Sequence, residues 1–268
     1  MARRPRALRS GGVGAVLVLA VESATELAGV ALADEVGVIA TAATSRGRQH
    51  AESIAPSVKF VCDRAGTPLR SLKGVCVDVG PGLFTGLRVG IATAKALAFA
   101  LGIPVVPTTS LEVLAQALCG AGAAAGSLLV PVVDAKRGEV FSACFRVADD
   151  SHVGAVQVGH VGAVQVGEDL VSSPEDLAGS LSRLGEPFVL GGDGAMRYAE
   201  VLGKLPGARL ASAALTNPPV EVLAVIGVAR LGAGLGIDGA QIAPTYLRDA
   251  DARIHWEQRL PPASARER

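Results

Sequence analysis

The sequence predicts an α/β protein built from two related lobes. Three observations carry this reading. Apolar strand-like runs alternate with helical patterns from residue 15 onward; a glycine and alanine stretch from Gly120 to Gly126 interrupts the alternation; and the chain then restarts with the strand, tight turn and returning strand with which it began. In order, the first half reads as strands at 15–21, 27–33 and 36–43, a helix at 50–64, a strand at 74–79, a helix at 86–101, a short strand at 103–106 and a helix at 110–118. The second half reads as strands at 128–133 and 139–146 around an Asp134–Gly138 turn, a helix at 174–184, a strand at 187–190, the Gly191-Gly192-Asp193-Gly194 turn, and helices at 194–203 and 219–233. The expected boundaries are an N-terminal lobe at 13–119, a C-terminal lobe at 127–248, and disordered basic tails at 1–12 and 249–268.

Composition narrows the class. The chain has 268 residues, half of them apolar, with zero formal net charge and 3% aromatic side chains, which suits a soluble globular protein without a general nucleic-acid signature. Cys62, Cys76, Cys119 and Cys144 lie far apart, with no CxxC pair, and read as reduced residues of a cytoplasmic protein. Arg3-Arg4-Pro5-Arg6 before the apolar run 13–21 imitates a signal peptide, but the run passes directly into Glu22-Ser23-Ala24-Thr25 and a second apolar segment, the pattern of a strand, turn and returning strand. No membrane-spanning segment is expected.

The richest stretch is Gly80-Pro81-Gly82-Leu83-Phe84-Thr85-Gly86-Leu87-Arg88, where a strand ending at Asp78 and Val79 runs into a glycine turn that opens a long helix. Glycines permit close backbone approach and a helix N-terminus carries unpaired N–H groups, so Asp78, Gly80, Gly82, Thr85, Gly86 and Arg88 form a candidate nucleotide or anion site; a turn used purely for packing would look similar. The helix is apolar nearly all round, with small residues at Gly86, Gly90, Ala94 and Ala98. Such a helix must be covered on two sides. A second helix from a partner, seated on Leu87, Gly90, Ala94, Leu97, Ala98 and Leu101, and burial within this chain are the two readings of the ladder.

Catalytic machinery is scarce. There is no His-Glu-x-x-His and no Gly-x-Ser-x-Gly elbow, and Ile54 stands where a second metal ligand would follow His50, so His50 reads as a helix-cap or interface residue and no metal site is expected. Asp134 and Arg137 flank a tight turn and are expected to pair. Residues 152–159 are repeated without change at 160–167, a tandem duplication that reads as a lengthened hairpin or loop, and His152 and His160 lack companion ligands.

Asp78 to Arg88, the helix to Gly102, Pro107-Thr108-Thr109-Ser110-Leu111, Asp134 to Phe141 and Pro244-Thr245-Tyr246-Leu247-Arg248 together resemble the TsaB (YeaZ) family of tRNA threonylcarbamoyladenosine biosynthesis, over about residues 15–250. The resemblance implies a two-lobed actin/Hsp70/sugar-kinase-like (ASKHA) fold, each lobe a mixed sheet with flanking helices. It also implies a non-catalytic partner of TsaD, which transfers threonylcarbamoyl to the adenosine beside a tRNA anticodon, with the ATPase TsaE as third partner and tRNA met only through the complex. The helices at 50–64 and 86–101 would form the dimer surface, toward TsaD or toward a second copy when TsaD is absent. This chain departs from the family in having Glu22-Ser23 for Asp-Thr and Leu83 for Ser in the glycine turn. Glu22 and Ser23 join the candidate nucleotide site, while Leu83 removes a hydroxyl from it; no cofactor is expected, and ATP or ADP between the lobes is left open. The leading function is therefore a scaffold subunit, and the alternatives are a stand-alone nucleotide-binding kinase-like protein or a homodimeric scaffold.

Overall fold

A computed structural model describes residues 16–45, 50–148 and 162–247. The basic tails, His152, His160, Arg248 and the first copy of the duplicated octapeptide lie outside these residues. Lobe one is a five-stranded sheet in the order β3-β2-β1-β4-β5, with β1 (Val18–Glu22), β2 (Ala28–Asp34), β3 (Gly37–Thr44), β4 (Gly74–Asp78) and β5 (Val105–Thr108). β1 runs antiparallel to β2 and parallel to β4, with Val21 beside Val77. Both of its faces are covered, as a run of five buried residues requires. Leu19 and Val21 pack with Ile54, Val58 and Val61 of α1 (His50–Ala65) and Ile91, Ala94 and Ala98 of α2 (Phe84–Leu101). Val18 and Ala20 point the other way, into Leu223, Ala224 and Ile226 of a helix near the C-terminus, Val220–Gly232.

Lobe two repeats the plan. β6 (Leu128–Lys136) pairs antiparallel with β7 (Glu139–Ser142) and parallel with β11 (Phe188–Gly191), and the order β10-β7-β6-β11-β12 mirrors lobe one. β10 is Leu170–Ser172 and β12 Ala208–Leu210, while β8 (Phe145–Val147) and β9 (Ala163–Gln165) form an added hairpin beside β6. One face is covered by α3 (Ser110–Gly120), and the other by α4 (Pro174–Ser182), α5 (Asp193–Arg197) and α6 (Ala199–Leu202). Thr109 caps α3 by accepting from Glu112 N, and Ser173 caps α4 ahead of Pro174.

Several boundaries differ from expectation for identifiable reasons. The strand expected at 139–146 is two strands, because Ala143 and Cys144 interrupt the pairing with β6 between β7 and β8. The helix expected at 194–203 is interrupted at Tyr198. A cut at 119/127 does not separate the lobes, since α3 crosses to pack on the lobe-two sheet and α7 (Val220–Gly232) returns to the lobe-one sheet. The two crossing helices meet, and the Arg230 guanidinium of α7 donates to the Glu112 carboxylate of α3, to Pro107 O and to Thr108 Oγ1. By length and composition α2 could cross a membrane, contrary to the sequence expectation, yet one of its faces is packed on β4.

Candidate functional site: the glycine turn and the outer face of helix two

β1 and β4 end side by side, which brings Glu22 and Asp78 together beneath the glycine turn. Neither side chain has any solvent exposure. Glu22 Oε1 accepts from Ala24 N at 2.8 Å, and Asp78 Oδ1 accepts from Gly80 N at 2.7 Å and from the Ser110 hydroxyl at 2.8 Å. Ser110 N in turn donates to Gly80 O, so the start of α3 is fastened to the same turn. Burial, followed by the neighbouring Asp78, raises Glu22 well above the usual carboxylate range; burial also pushes Asp78 up to about 6.

The glycines above this pair are used for packing. A Cβ at Gly82 would collide with the Ala24 carbonyl, and Leu83 N donates to that same oxygen at 2.6 Å. Thr245 N donates to Val79 O at 2.7 Å, so the C-terminal segment lies across the turn, with the Thr245 carbonyl against Gly80. Ser23 donates its hydroxyl to Gly86 O and sits against Gly90.

The expected anion cradle is therefore corrected. Glu22, Ser23, Asp78, Gly80 and Gly86 are buried and Gly82 is half-buried, leaving Thr85 and Arg88 exposed, and two carboxyls occupy the base of the turn where a phosphate would need donors.

The partner surface is corrected in a similar way. Leu87, Gly90, Ala94 and Ala98 face this chain's own sheet, so the small-residue ladder lets α2 lie close to β1 and β4, and Gly90 makes room for Ser23. The outward face consists of Phe84, Arg88, Ala92, Ala96, Phe99 and Ala100, with Phe99 92% exposed. Leu97 and Leu101 lie half-buried at its edge, and Leu97 lines an apolar groove of about 460 Å³ between α1 and α2 with Val58, Cys62 and Thr93. His50 is the first residue of α1, and its side chain lies outside the described residues. At the N-terminal end of the face, the Arg88 guanidinium lies 3.8 Å from the Phe84 ring centre, and Phe84 stacks on Tyr246 at 5.6 Å. Phe84, Phe99, Ser110 and Tyr246 were not among the sequence candidates; an aromatic at a solvent-facing helical position was the available signal for the first two.

In lobe two, Asp134 is also buried, and the cations beside it are Lys136 at 3.1 Å and Arg197 at 3.5 Å. Lys136 also reaches Glu26 at 3.7 Å, linking the two lobes' first turns. Lys136 and Arg137 both adopt positive φ, at 61° and 56°, in the tight turn between β6 and β7. The four cysteines are free, and burial raises each thiol, Cys76 to about 12.

Residues 36–256 match the family model described as TsaD, tRNA N6-adenosine threonylcarbamoyltransferase. The chain belongs to that family. Alignment length then places it within the family. TsaB of Bacillus subtilis is 28% identical across 89% of this chain and 97% of the relative, and TsaB of Escherichia coli is 28% identical across 90% and 97%. A tRNA N6-adenosine threonylcarbamoyltransferase of Geotalea uraniireducens, in contrast, is 42% identical over 24% of this chain and only 19% of the relative. Among solved structures, YeaZ from Pseudomonas aeruginosa superposes with a TM-score of 0.70 at 26% identity, over 86% of this chain and 99% of that one. The chain is thus of the TsaB (YeaZ) type, and the TsaB relatives share its full two-lobed extent.

Proposed function

We propose that this chain serves tRNA threonylcarbamoyladenosine biosynthesis as a non-catalytic subunit that pairs with TsaD. The observation that carries the reading is the end-to-end similarity to TsaB proteins, joined to a TsaB-type fold whose glycine turn is sealed by its own backbone. Transfer of threonylcarbamoyl then belongs to TsaD, and this chain supplies a docking surface that orders its partner. The surface we assign is the outward face of α2 with the neighbouring groove on α1: Phe84, Ala92, Ala96, Phe99 and Ala100 are exposed apolar residues on one side of a helix whose other side is fully engaged. Aromatic residues with an adjacent arginine are the side chains that most often anchor protein interfaces. TsaE joins the assembly through the pair, tRNA is met through TsaD, a second copy of this chain occupies the same face when TsaD is absent, and the complex works in the cytoplasm.

The test is co-purification with TsaD from the same organism, followed by size-exclusion chromatography. A one-to-one complex is expected, and Phe99→Asp should weaken it by at least about tenfold while the variant keeps its melting temperature, because Phe99 has almost no packing to lose. A complex unaffected by Phe99→Asp and Ala96→Arg would move the interface elsewhere. No complex under any condition would reject the partnership.

A further inference from the structure

Glu22 and Asp78 stand at the ends of the adjacent parallel strands β1 and β4, and both are wholly buried. Each has one oxygen served by backbone N–H or hydroxyl donors, while Glu22 Oε2 and Asp78 Oδ2 are buried without any hydrogen-bond donor. Among the described residues no cation pairs with either carboxyl. On the packed elements, Glu112 of α3 adds negative potential at Asp78, and Arg230 of α7 is engaged with Glu112; Cys76 of β4 is a neutral thiol beside Thr108. Two ionised carboxylates in contact away from water repel each other and lack donors, and a carboxylic acid beside a carboxylate removes both faults.

We propose that Glu22 and Asp78 hold one proton between them, with the Glu22 O–H donating to the Asp78 carboxylate, and that this proton clamps together the β1–β2 turn, the glycine turn and the start of α3. The three segments are those through which the lobes join: Ala24 receives Leu83 N, Gly80 receives Ser110 N, and α3 carries the chain into lobe two. Loss of the proton puts two like charges in contact at that junction and loosens it.

The pH dependence has a definite sign. Both groups lie above their ordinary values, so the unfolded chain gives up these protons first as pH rises. The stabilisation is fully present below the ordinary carboxyl range near pH 4; as pH climbs, the pair gives up a second proton at the Asp78 step near 6, and the shared proton leaves at the higher Glu22 step.

Two readouts test this on the full chain. Carbonyl-labelled NMR should show one glutamate carboxyl, absent in Glu22→Gln, titrating well above the usual range. Thermal unfolding between about pH 5 and about pH 9 should show a fall in Tm that Glu22→Gln cuts by about half or more, because the amide donates to Asp78 without carrying a charge. Asp78→Asn supplies the same comparison if the first variant folds poorly. A Glu22 carboxyl that titrates in the ordinary range, or a Tm profile unchanged by both substitutions, overturns the proposal. A rise in Tm at about pH 8 with Mg²⁺ or Mn²⁺ in the wild type but not in Glu22→Gln also overturns it, by showing that a cation holds the pair.

Discussion

At the end of its first strand and beside the parallel neighbour of that strand, each lobe places an acidic side chain: Glu22 and Asp78 in lobe one, Asp134 and Asp193 in lobe two. In lobe two Asp134 meets Lys136 and Arg197, and Asp193 accepts from Asp134 N at 2.8 Å. In lobe one the two acids meet each other. The same topology therefore tolerates buried acids either by recruiting cations from an open turn or by sealing the acids under a glycine turn and keeping a proton. The open turn is accessible and strained, while the closed turn is structural.

The largest effect is expected at the closed turn itself. Gly82→Ala would drive a methyl group into the Ala24 carbonyl and separate the turn from β1, at a cost of about 3 kcal/mol or more; Gly138→Ala, at the open turn of lobe two, meets no neighbour and only carries the strain of a φ of 81°, at about 1 kcal/mol. Equal losses in urea unfolding would erase the contrast between the lobes.

Next comes the bridge between them. The Arg230 and Glu112 side chains are only 15% and 13% exposed, so Arg230→Ala breaks a largely buried ion pair and should cost about 3 kcal/mol, whereas the double change with Glu112→Leu should recover a substantial part of it. A double-mutant cycle without coupling would remove this ion pair from the junction. Glu22→Gln should act in the opposite sense, raising stability near pH 8 and changing it little near pH 4, read by the same urea series at the two pH values. Lys136→Met, which removes an ion pair that is 44% exposed on the lysine side, should cost no more than about 1 kcal/mol, read by the same denaturant series at low and high salt.

Much of this architecture was legible in the residues. β1, β2, β4 and β6 are apolar runs buried on both faces, and α1, α2, α3 and α7 are helical runs long enough to be unambiguous. What escaped was decided by partners distant in sequence. The small ladder Gly86-Gly90-Ala94-Ala98 is compatible with any close neighbour, and only the position of Ser23 and β1 shows that the neighbour is this chain's own sheet. The glycine turn has the composition of an anion cradle, but Ala24, Thr245 and Ser110 occupy its backbone groups from three remote segments. Short strands such as β9, β10 and β12, of three residues each, carry too little periodicity to be read, and they form because a neighbouring edge is available. Glu22 and Asp78 were both visible as acids at strand ends, but their contact depends on the parallel register of β1 and β4.

The central claim is that chemistry resides in the partner and that this chain enables it. The most direct measurement is threonylcarbamoyl transfer to unmodified tRNA in a purified system containing TsaD and TsaE with the activated threonylcarbamoyl donor, with and without this chain. Product is expected only when chain and TsaD are both present, none from the chain alone, and a loss with Phe99→Asp that parallels the loss of complex. Full transfer by TsaD without this chain, or transfer by this chain without TsaD, would contradict it.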